Sequence, residues 1–543
     1  MGFLTPTPPP YDPVAWSTSP LPERGRQVCA AWAMQGYGTP AGAYALYAIK
    51  IALYVGAWIA WCSCTPGLGG LATIGDWWLH PIAFEKAILW SMLFEGLGLG
   101  CGSGPLTGRY FPPIGGCLYF LRPGTTKLAV HPALGLQRTW LDVALYAAIV
   151  VGLVVALASA VPAHRLIVGL AVAVPVLGLL DRTTFLAFRS EHYWTTLVCF
   201  AVAGDWIAGA KSVQLALWFW AGFSKLNYHF ASVVCVMTSN GPLTPWAWLR
   251  RRMYRSYPDD LRPSRLATWV GHVGTGLELA VPIVLALAPG GLSLTVGLVM
   301  MLALHAYITS NLPMGVPLEW NVMVGYGGFA LFYAHPGVSP LAVGSVPLAI
   351  FLGAMLIGGP LAGNLWPHRW SFLLAMRYYA GNWAYGVWLF RGDSYRKLAK
   401  LTTSAPWIHD QLARFYDQPT AVGLLGKVLG FRLMHLHGRA LPVLVPRAVE
   451  RFEDYEYVDG ELIAGLVLGW NFGDGHLHRE PLLRAVQAQC GFEPGELRCI
   501  FVEAQPLGRA TMGFRIVDAA TGLLEEGALV VAELRARQPW AAT

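Results

Sequence analysis

The side chain best placed to do chemistry in this chain is Lys225, in the stretch from Gln214 to Pro242, QLALWFWAGFSKLNYHFASVVCVMTSNGP. An apolar run from Leu215 to Phe223 meets Ser224, Lys225, Asn227 and His229 within one and a half turns. A lysine deep in a membrane segment costs about 2.5–3.5 kcal/mol on insertion scales, so it usually faces a protein interior and a partner. Out of water, an amine becomes usable as a general base. The competing reading is structural: Lys225 lies within about two turns of the helix end, where its ammonium could snorkel to the headgroups beside Asn227 and His229.

Further polar groups fall where lipid exposure would be costly. His192, with Arg189 and Glu191 in RSEHYW, opens a fifth apolar run. His272 and Glu278, in GHVGTGLELAVP, sit early and midway in a seventh. His305 lies near the end of an eighth, and Glu319 and Asn321, in PLEWN, open a ninth. With the N-terminus inside the cell, the starts of runs five, seven and nine and the ends of six and eight share the cytoplasmic side. His192, Lys225, His272, His305 and Glu319 are therefore expected at similar depth around one cavity, with Glu278 below them. Each also has a plainer reading. Glu278 would neutralise Lys225 or an arginine, the histidines would bond to backbone, and Asn321 would cap a helix. Glu95 in the second run is a further candidate, whereas Glu85 and Lys86 fall close enough to its end to be solvated.

The elements that must position these groups follow from composition and period. The chain has 543 residues, 55% hydrophobic and only 13% charged, which excludes an ordinary soluble domain. Its 23 Trp and 22 Tyr suit many membrane–water boundaries. The net charge of +7 is carried in loops and the C-terminal third, as orientation determinants are, with no basic and aromatic interleaving that would suit nucleic acid. Nine cysteines, mostly in or beside apolar runs, make no disulfide framework. Apolar runs long enough to span lipid fall near 43–63, 82–101, 139–161, 165–181 and 193–210. Five more lie near 212–229, 267–288, 291–309, 320–336 and 341–358. The loops assigned inside carry twelve basic residues against Arg165 and Lys211 outside, which predicts cytoplasmic N- and C-termini.

The fold class expected is mainly α, a polytopic helical membrane protein of about ten spans with a small C-terminal α+β soluble domain. Residues 1–42 read as a Pro-rich arm, 43–360 as the transmembrane domain, 361–400 as an interfacial amphipathic segment and 401–543 as the α+β domain. The aromatic and basic residues of 368–400 suggest a helix lying in the interface. Within the C-terminal domain, EPLLRAVQAQ (480–489) reads as an amphipathic helix. LRCIFVEAQ (497–505), GFRIVDA (513–519) and EGALVVAEL (526–534) read as strands, with a hairpin at 519–522. Asp474, His476 and His478, in NFGDGHLH, are weak metal candidates, since a His-x-His on a strand points both imidazoles to one face. Their other reading is a Gly-rich turn before the 480–489 helix.

The residues around Lys225 also carry a resemblance. Ala221-Gly222, Lys225, Leu226 and Asn227 are similar to the motif of the horizontally transferred transmembrane superfamily, to which vitamin K-dependent gamma-carboxylase belongs. Asn227 stands where the carboxylase pattern has Asp, and Ser224 replaces its first lysine. RSEHYW is similar to the family's Asn-His-aromatic motif, and GLELAVP to its following acidic helix. The region also resembles lipase maturation factors, through the Lys225 segment, Gly241–Pro245 and the Glu278 helix. The superfamily likeness covers about 140–335. Nearly end to end, with HAYITSNLPMGVPLEWN and FGDGHLHREPLLRAVQAQCGFEPGELR as its marks, the chain resembles an uncharacterised multi-spanning family typical of actinobacteria.

The superfamily resemblance implies Lys225 as a base and His192 as its partner, with Glu278 beside them. His272, His305, Glu319 and Asn321 are the expected substrate-binding residues. The expectation is an integral protein of a bacterial plasma membrane acting on a lipid-soluble quinone, isoprenoid or lipid. The alternative is a non-catalytic folding or assembly factor, or a lipid transporter. Membrane lipid and a hydrophobic small molecule are the expected partners. No cofactor is assigned.

Overall fold

The computed structural model describes residues 2–100, 115–202, 204–288, 290–311, 317–470 and 475–542. The chain is mainly helical, and a helix lies at each of the ten apolar runs. Among the described residues, five helices are long and apolar enough to cross a membrane: Ala41–Ser63, Trp140–Ala158, Arg265–Leu287, Gly291–Thr309 and Val346–Leu365. The others are shorter, with definite stops. Pro81–Gly96 ends ahead of Gly98, whose φ of +78° suits glycine. Leu318–Gly327 passes into a π-helical turn, Gly328–Tyr333.

Local chemistry marks the helix starts. Thr139 and Asp142 form a capping box at Trp140. Ser264 accepts from Ala267 N–H at the head of Arg265–Leu287, and Asp417 from Thr420 N–H at the head of Gln418–Met434. Lys86, expected to be solvated, is instead fully buried. Its Nζ donates to the carbonyls of Trp61 (3.1 Å) and Leu157 (2.8 Å) and to the Thr65 hydroxyl. Carbonyls at neighbouring helix ends take the place of water. In the N-terminal arm, where turns were expected, Leu21–Gln35 is a helix that packs on Gln418–Met434 with Val28 and Trp32 buried.

The C-terminal region is built on five antiparallel strands: β1 (Tyr385–Arg391), β2 (Tyr455–Asp459), β3 (Leu497–Val502), β4 (Thr511–Asp518) and β5 (Gly522–Val530). Their spatial order is β2-β1-β3-β4-β5. The expected strands at 497–505 and 513–519, the Glu480–Cys490 helix and the hairpin are present, whereas the strand expected at 526–534 stops at Val530 and continues as the helix Val531–Ala536. Asp518 Oδ1 accepts from Ala520 N–H and Thr521 N–H (3.0 and 3.2 Å), which turns the chain between β4 and β5.

The interfacial helix expected within 368–400 does not form. That stretch holds short 3-10 turns at Leu373–Ala375 and Ser394–Lys400 around β1, an inner strand of the sheet. Both faces of β1 are covered. Trp388 and Phe390 join the core shared with the apolar helices, and Tyr385, Val387 and Leu389 join a second core with the N-terminal helix and Phe230–Asn240. A strand buried on both faces is apolar throughout and lacks the alternation that would identify it.

Trp388 is wholly buried in that position. Trp388→Ala is expected to cost about 3–5 kcal/mol and to lower the thermal unfolding midpoint of the detergent-solubilised protein. Trp269→Ala, at a residue 69% exposed on its helix, should leave the midpoint nearly unchanged. Equal shifts in the two variants would contradict a β1 core.

Candidate functional site

The site is built where the Ile207–Phe223 helix crosses Arg265–Leu287. Ala221 and Gly222 set the approach: a Cβ on Gly222 would sit 2.8 Å from Leu279 Cγ and 3.1 Å from its backbone nitrogen. That closeness lets Lys225, just past the helix end, form an ion pair with Glu278. Their side chains are only 9% and 5% exposed. Lys225 Nζ also lies 4.9 Å from the centre of the Phe230 ring.

Asn227, read as interfacial, is instead bound by the C-terminal region. Its amide donates to the Gln505 and Pro506 carbonyls (3.2 and 3.3 Å), and its oxygen accepts from Gly508 N–H (3.1 Å). An ionised aspartate could accept here but not donate. Asparagine at 227 therefore serves a join between the Lys225 segment and the C-terminal region.

His305 is held by two partners. Trp218 Nε1 donates to its Nε2 at 2.9 Å. The Asn321 amide nitrogen donates to the His305 carbonyl (3.1 Å) and to Thr309, so Asn321 Oδ1 accepts from His305 Nδ1. Both ring nitrogens are used and the imidazole is neutral. It can orient a ligand, but its lone pair is already engaged.

Lys225, Glu278, His305 and Asn321 line one cavity of about 190 Å³, walled largely by Trp218, Trp320, Tyr379 and Trp383. Phe431 and His435 close it from the C-terminal region. His192 stands behind this wall rather than in it. Its Nδ1 accepts from Trp320 Nε1 (2.8 Å), and Trp320 stacks on Tyr379 with centroids 4.9 Å apart. Glu319 points away and pairs with Lys50 at 3.0 Å. His272 is exposed and does not line the cavity. Of the five residues expected around one cavity, only Lys225 and His305 line it; Glu278 and Asn321 join them there, and His192, His272 and Glu319 do not.

Sequence reading missed the support of the wall. Arg189 pairs with Glu95 (2.5 Å), bonds to the Tyr379 hydroxyl and lies over Trp320 at 5.6 Å. Its φ of +48° is a left-handed conformation that a non-glycine residue adopts only when its surroundings enforce it. Glu95 was visible as a candidate and Arg189 as a helix-opening charge, but nothing local joins residues 94 positions apart. Lys50, the partner of Glu319, was overlooked inside an apolar run.

The His-x-His candidates do not lie on a strand. Residues 475–478 form a 3-10 turn, not a strand. His476 bonds to Ser371 and Glu503, whereas His478 is wholly buried. Asp474 lies outside the described residues. Among the described residues no group of three or more His, Cys, Asp or Glu side chains could hold a metal ion.

The chain belongs to the family described as a transmembrane protein of unknown function (DUF3556), which it matches over residues 1–543. No curated protein and no solved structure matches it.

Two histidines of the C-terminal region are held neutral. Burial pushes His435 from 6.5 down to about 4, opposed by its bond to the Phe431 carbonyl (2.8 Å). Burial and then Arg377 push His437 down to about 3. Between these values and 6.5 the unfolded chain binds protons that the folded chain refuses, so stability falls as pH falls through that window. The thermal midpoint is expected to drop between pH 7 and pH 5, with a shallower slope in His437→Gln. An unchanged slope would mean that His437 does not stay neutral in the fold.

Proposed function

We propose that this protein is a membrane enzyme that binds a lipid-soluble molecule in the Lys225 cavity and uses Lys225 as a general base. The observation that carries the reading is one cavity joining an amine, a carboxylate and a satisfied neutral imidazole inside an aromatic wall. Such a pocket suits a flat or chain-like apolar ligand with one polar end. Lys225 would first pass a proton to Glu278 within their ion pair, and the neutral amine would then accept one from a substrate hydroxyl or activated C–H. His305 and Asn321 would orient the polar end, while His192 acts by fixing Trp320. The likeness of Ala221–Asn227 to the gamma-carboxylase motif supports a quinone, isoprenoid or other lipid as substrate.

The proposal includes about ten membrane crossings, in a bacterial plasma membrane, with both termini cytoplasmic. Helices at all ten apolar runs and the charge asymmetry of the loops support it. Half of these helices fall short of a typical span, so thinning of the bilayer around them, or their sheltering by neighbours, is part of the reading.

A second reading has its own observation. The Lys225–Glu278 ion pair would by itself hold two helices together in a non-catalytic folding, assembly or transport factor. The two readings part in variants matched for stability. Lys225→Met alone strands a buried carboxylate and is expected to cost roughly 3–5 kcal/mol, whereas Lys225→Met with Glu278→Gln removes both charges and recovers most of that loss. Lipids copurifying with the wild type and the double variant are to be compared by mass spectrometry. The enzyme reading expects a discrete quinone, isoprenoid or other lipid in the wild type, lost or changed in oxidation state in the stable double variant. The same bulk phospholipid in both would make the pair structural.

A further inference from the structure

A second cluster, beside a separate pocket that shares Tyr378 and Trp383 with the lining of the Lys225 cavity, has the order of groups used in acyl transfer. Ser371 Oγ lies 2.9 Å from His476 Nδ1. His476 Nε2 lies 3.1 Å from Glu503 Oε1 and 3.2 Å from Oε2. Glu503 is fixed in turn by Arg479 Nη1 (2.6 Å) and the Ala504 N–H (2.8 Å). With Glu503 ionised, His476 carries its proton on Nε2 and presents the Nδ1 lone pair to the Ser371 hydroxyl. Burial opposes that ionisation, but His476, Arg479 and the Ala504 amide hold the Glu503 carboxyl well below the usual range.

Three separate elements deliver these groups. Ser371 follows the last long apolar helix, Val346–Leu365, in an exposed extended stretch. His476 comes from the 3-10 turn, whose first residue has to be glycine: a Cβ on Gly475 would sit 1.6 Å from the Ala384 carbonyl. Glu503 immediately follows β3. Ser371 and His476 border a small pocket of about 30 Å³, lined also by Trp370, Leu373 and Arg377. That is space for two or three waters, about the size of a short acyl group. Trp366 and Trp370 are 52% and 48% exposed beside it, just beyond a membrane-length helix, as aromatic anchors at a bilayer surface are.

We propose that Ser371, His476 and Glu503 form a catalytic triad that hydrolyses short-chain acyl esters presented at the membrane surface. Ser371 Oγ attacks the ester carbonyl carbon as its proton passes to His476 Nδ1. The tetrahedral adduct collapses, the ester C–O bond breaks, and the departing alcohol takes the proton from Nδ1. Water then attacks the acyl-serine by the same route, releasing the acid and restoring Ser371. Glu503 keeps the imidazole in the required tautomer and balances the imidazolium. The order of the two ring nitrogens does not matter, because either can act as base when the other is held by a carboxylate.

The test uses the full-length protein in detergent with an alkyl fluorophosphonate, the adduct being located by peptide mass spectrometry. The expected result is one adduct on Ser371, absent in Ser371→Ala and formed at least ~100-fold more slowly in His476→Gln. Glu503→Gln should slow it without moving its site, and Trp269→Ala, at a residue exposed on its helix, should label at the wild-type rate. Hydrolysis of p-nitrophenyl acetate should follow the labelling, with the palmitate ester much slower. A wild-type protein that takes no adduct at Ser371, while a control serine hydrolase labels in the same detergent, would overturn the triad. So would equal labelling rates in wild type and a folded His476→Gln.

Discussion

Charge buried among apolar helices has to be paired, and the membrane half of this protein is organised by that requirement. Lys50 meets Glu319, Glu95 meets Arg189, and Lys225 meets Glu278, each pair joining different helical segments. Lys86 solves the same problem with carbonyl oxygens instead of a carboxylate. A single unpaired charge in such surroundings costs several kcal/mol. Apolar faces alone would slide or rotate past one another with little penalty. The pairs specify which faces meet.

The cavity is a consequence of those pairings. Arg189, fixed by Glu95, bonds to Tyr379 and underlies Trp320, and His192 holds Trp320 from the other side. The wall facing Lys225 is thus positioned by groups that do not touch the cavity. Polar contact with the C-terminal region completes it, through Asn227 on the 505–508 segment and Phe431 and His435 lining its edge. Because β1 is buried on both faces, the sheet is a shared layer between the helical half and the N-terminal helix, not an appended module.

The two candidate centres differ in the solvent they face. The Lys225 cavity is lined mostly by aromatic and apolar side chains between apolar helices, with few polar groups to exchange a proton. The Ser371 cluster opens beside exposed tryptophans at the end of the last long apolar helix, where water is at hand for hydrolysis. As proposed, both centres would take a molecule that reaches the protein through or along the bilayer.

Helices, strands and much of the site were legible in the sequence. The helices at all ten apolar runs, the Glu480–Cys490 helix, the β4–β5 hairpin and the meeting of Lys225 and His305 follow from period, composition and the depth at which each residue enters its run. Those signals are local, or depend only on distance from a helix end. Rotation about a helix axis is not so encoded. Glu319 and Asn321 lie two residues apart on one helix and face different neighbours, and His272 faces outward one turn and a half from Glu278. β1 was hidden because burial on both faces erases the alternation that marks a strand, leaving aromatic and basic residues that read as an amphipathic helix. The Ser371–His476–Glu503 cluster was invisible, since its members are 105 and 27 residues apart and belong to a coil, a turn and a strand end. Sequence determines which segments leave water and which residues arrive at each depth, because those depend on neighbours along the chain. Which side chains then touch was decided only in the tertiary structure, because each contact is between atoms that the chain brings together from far apart.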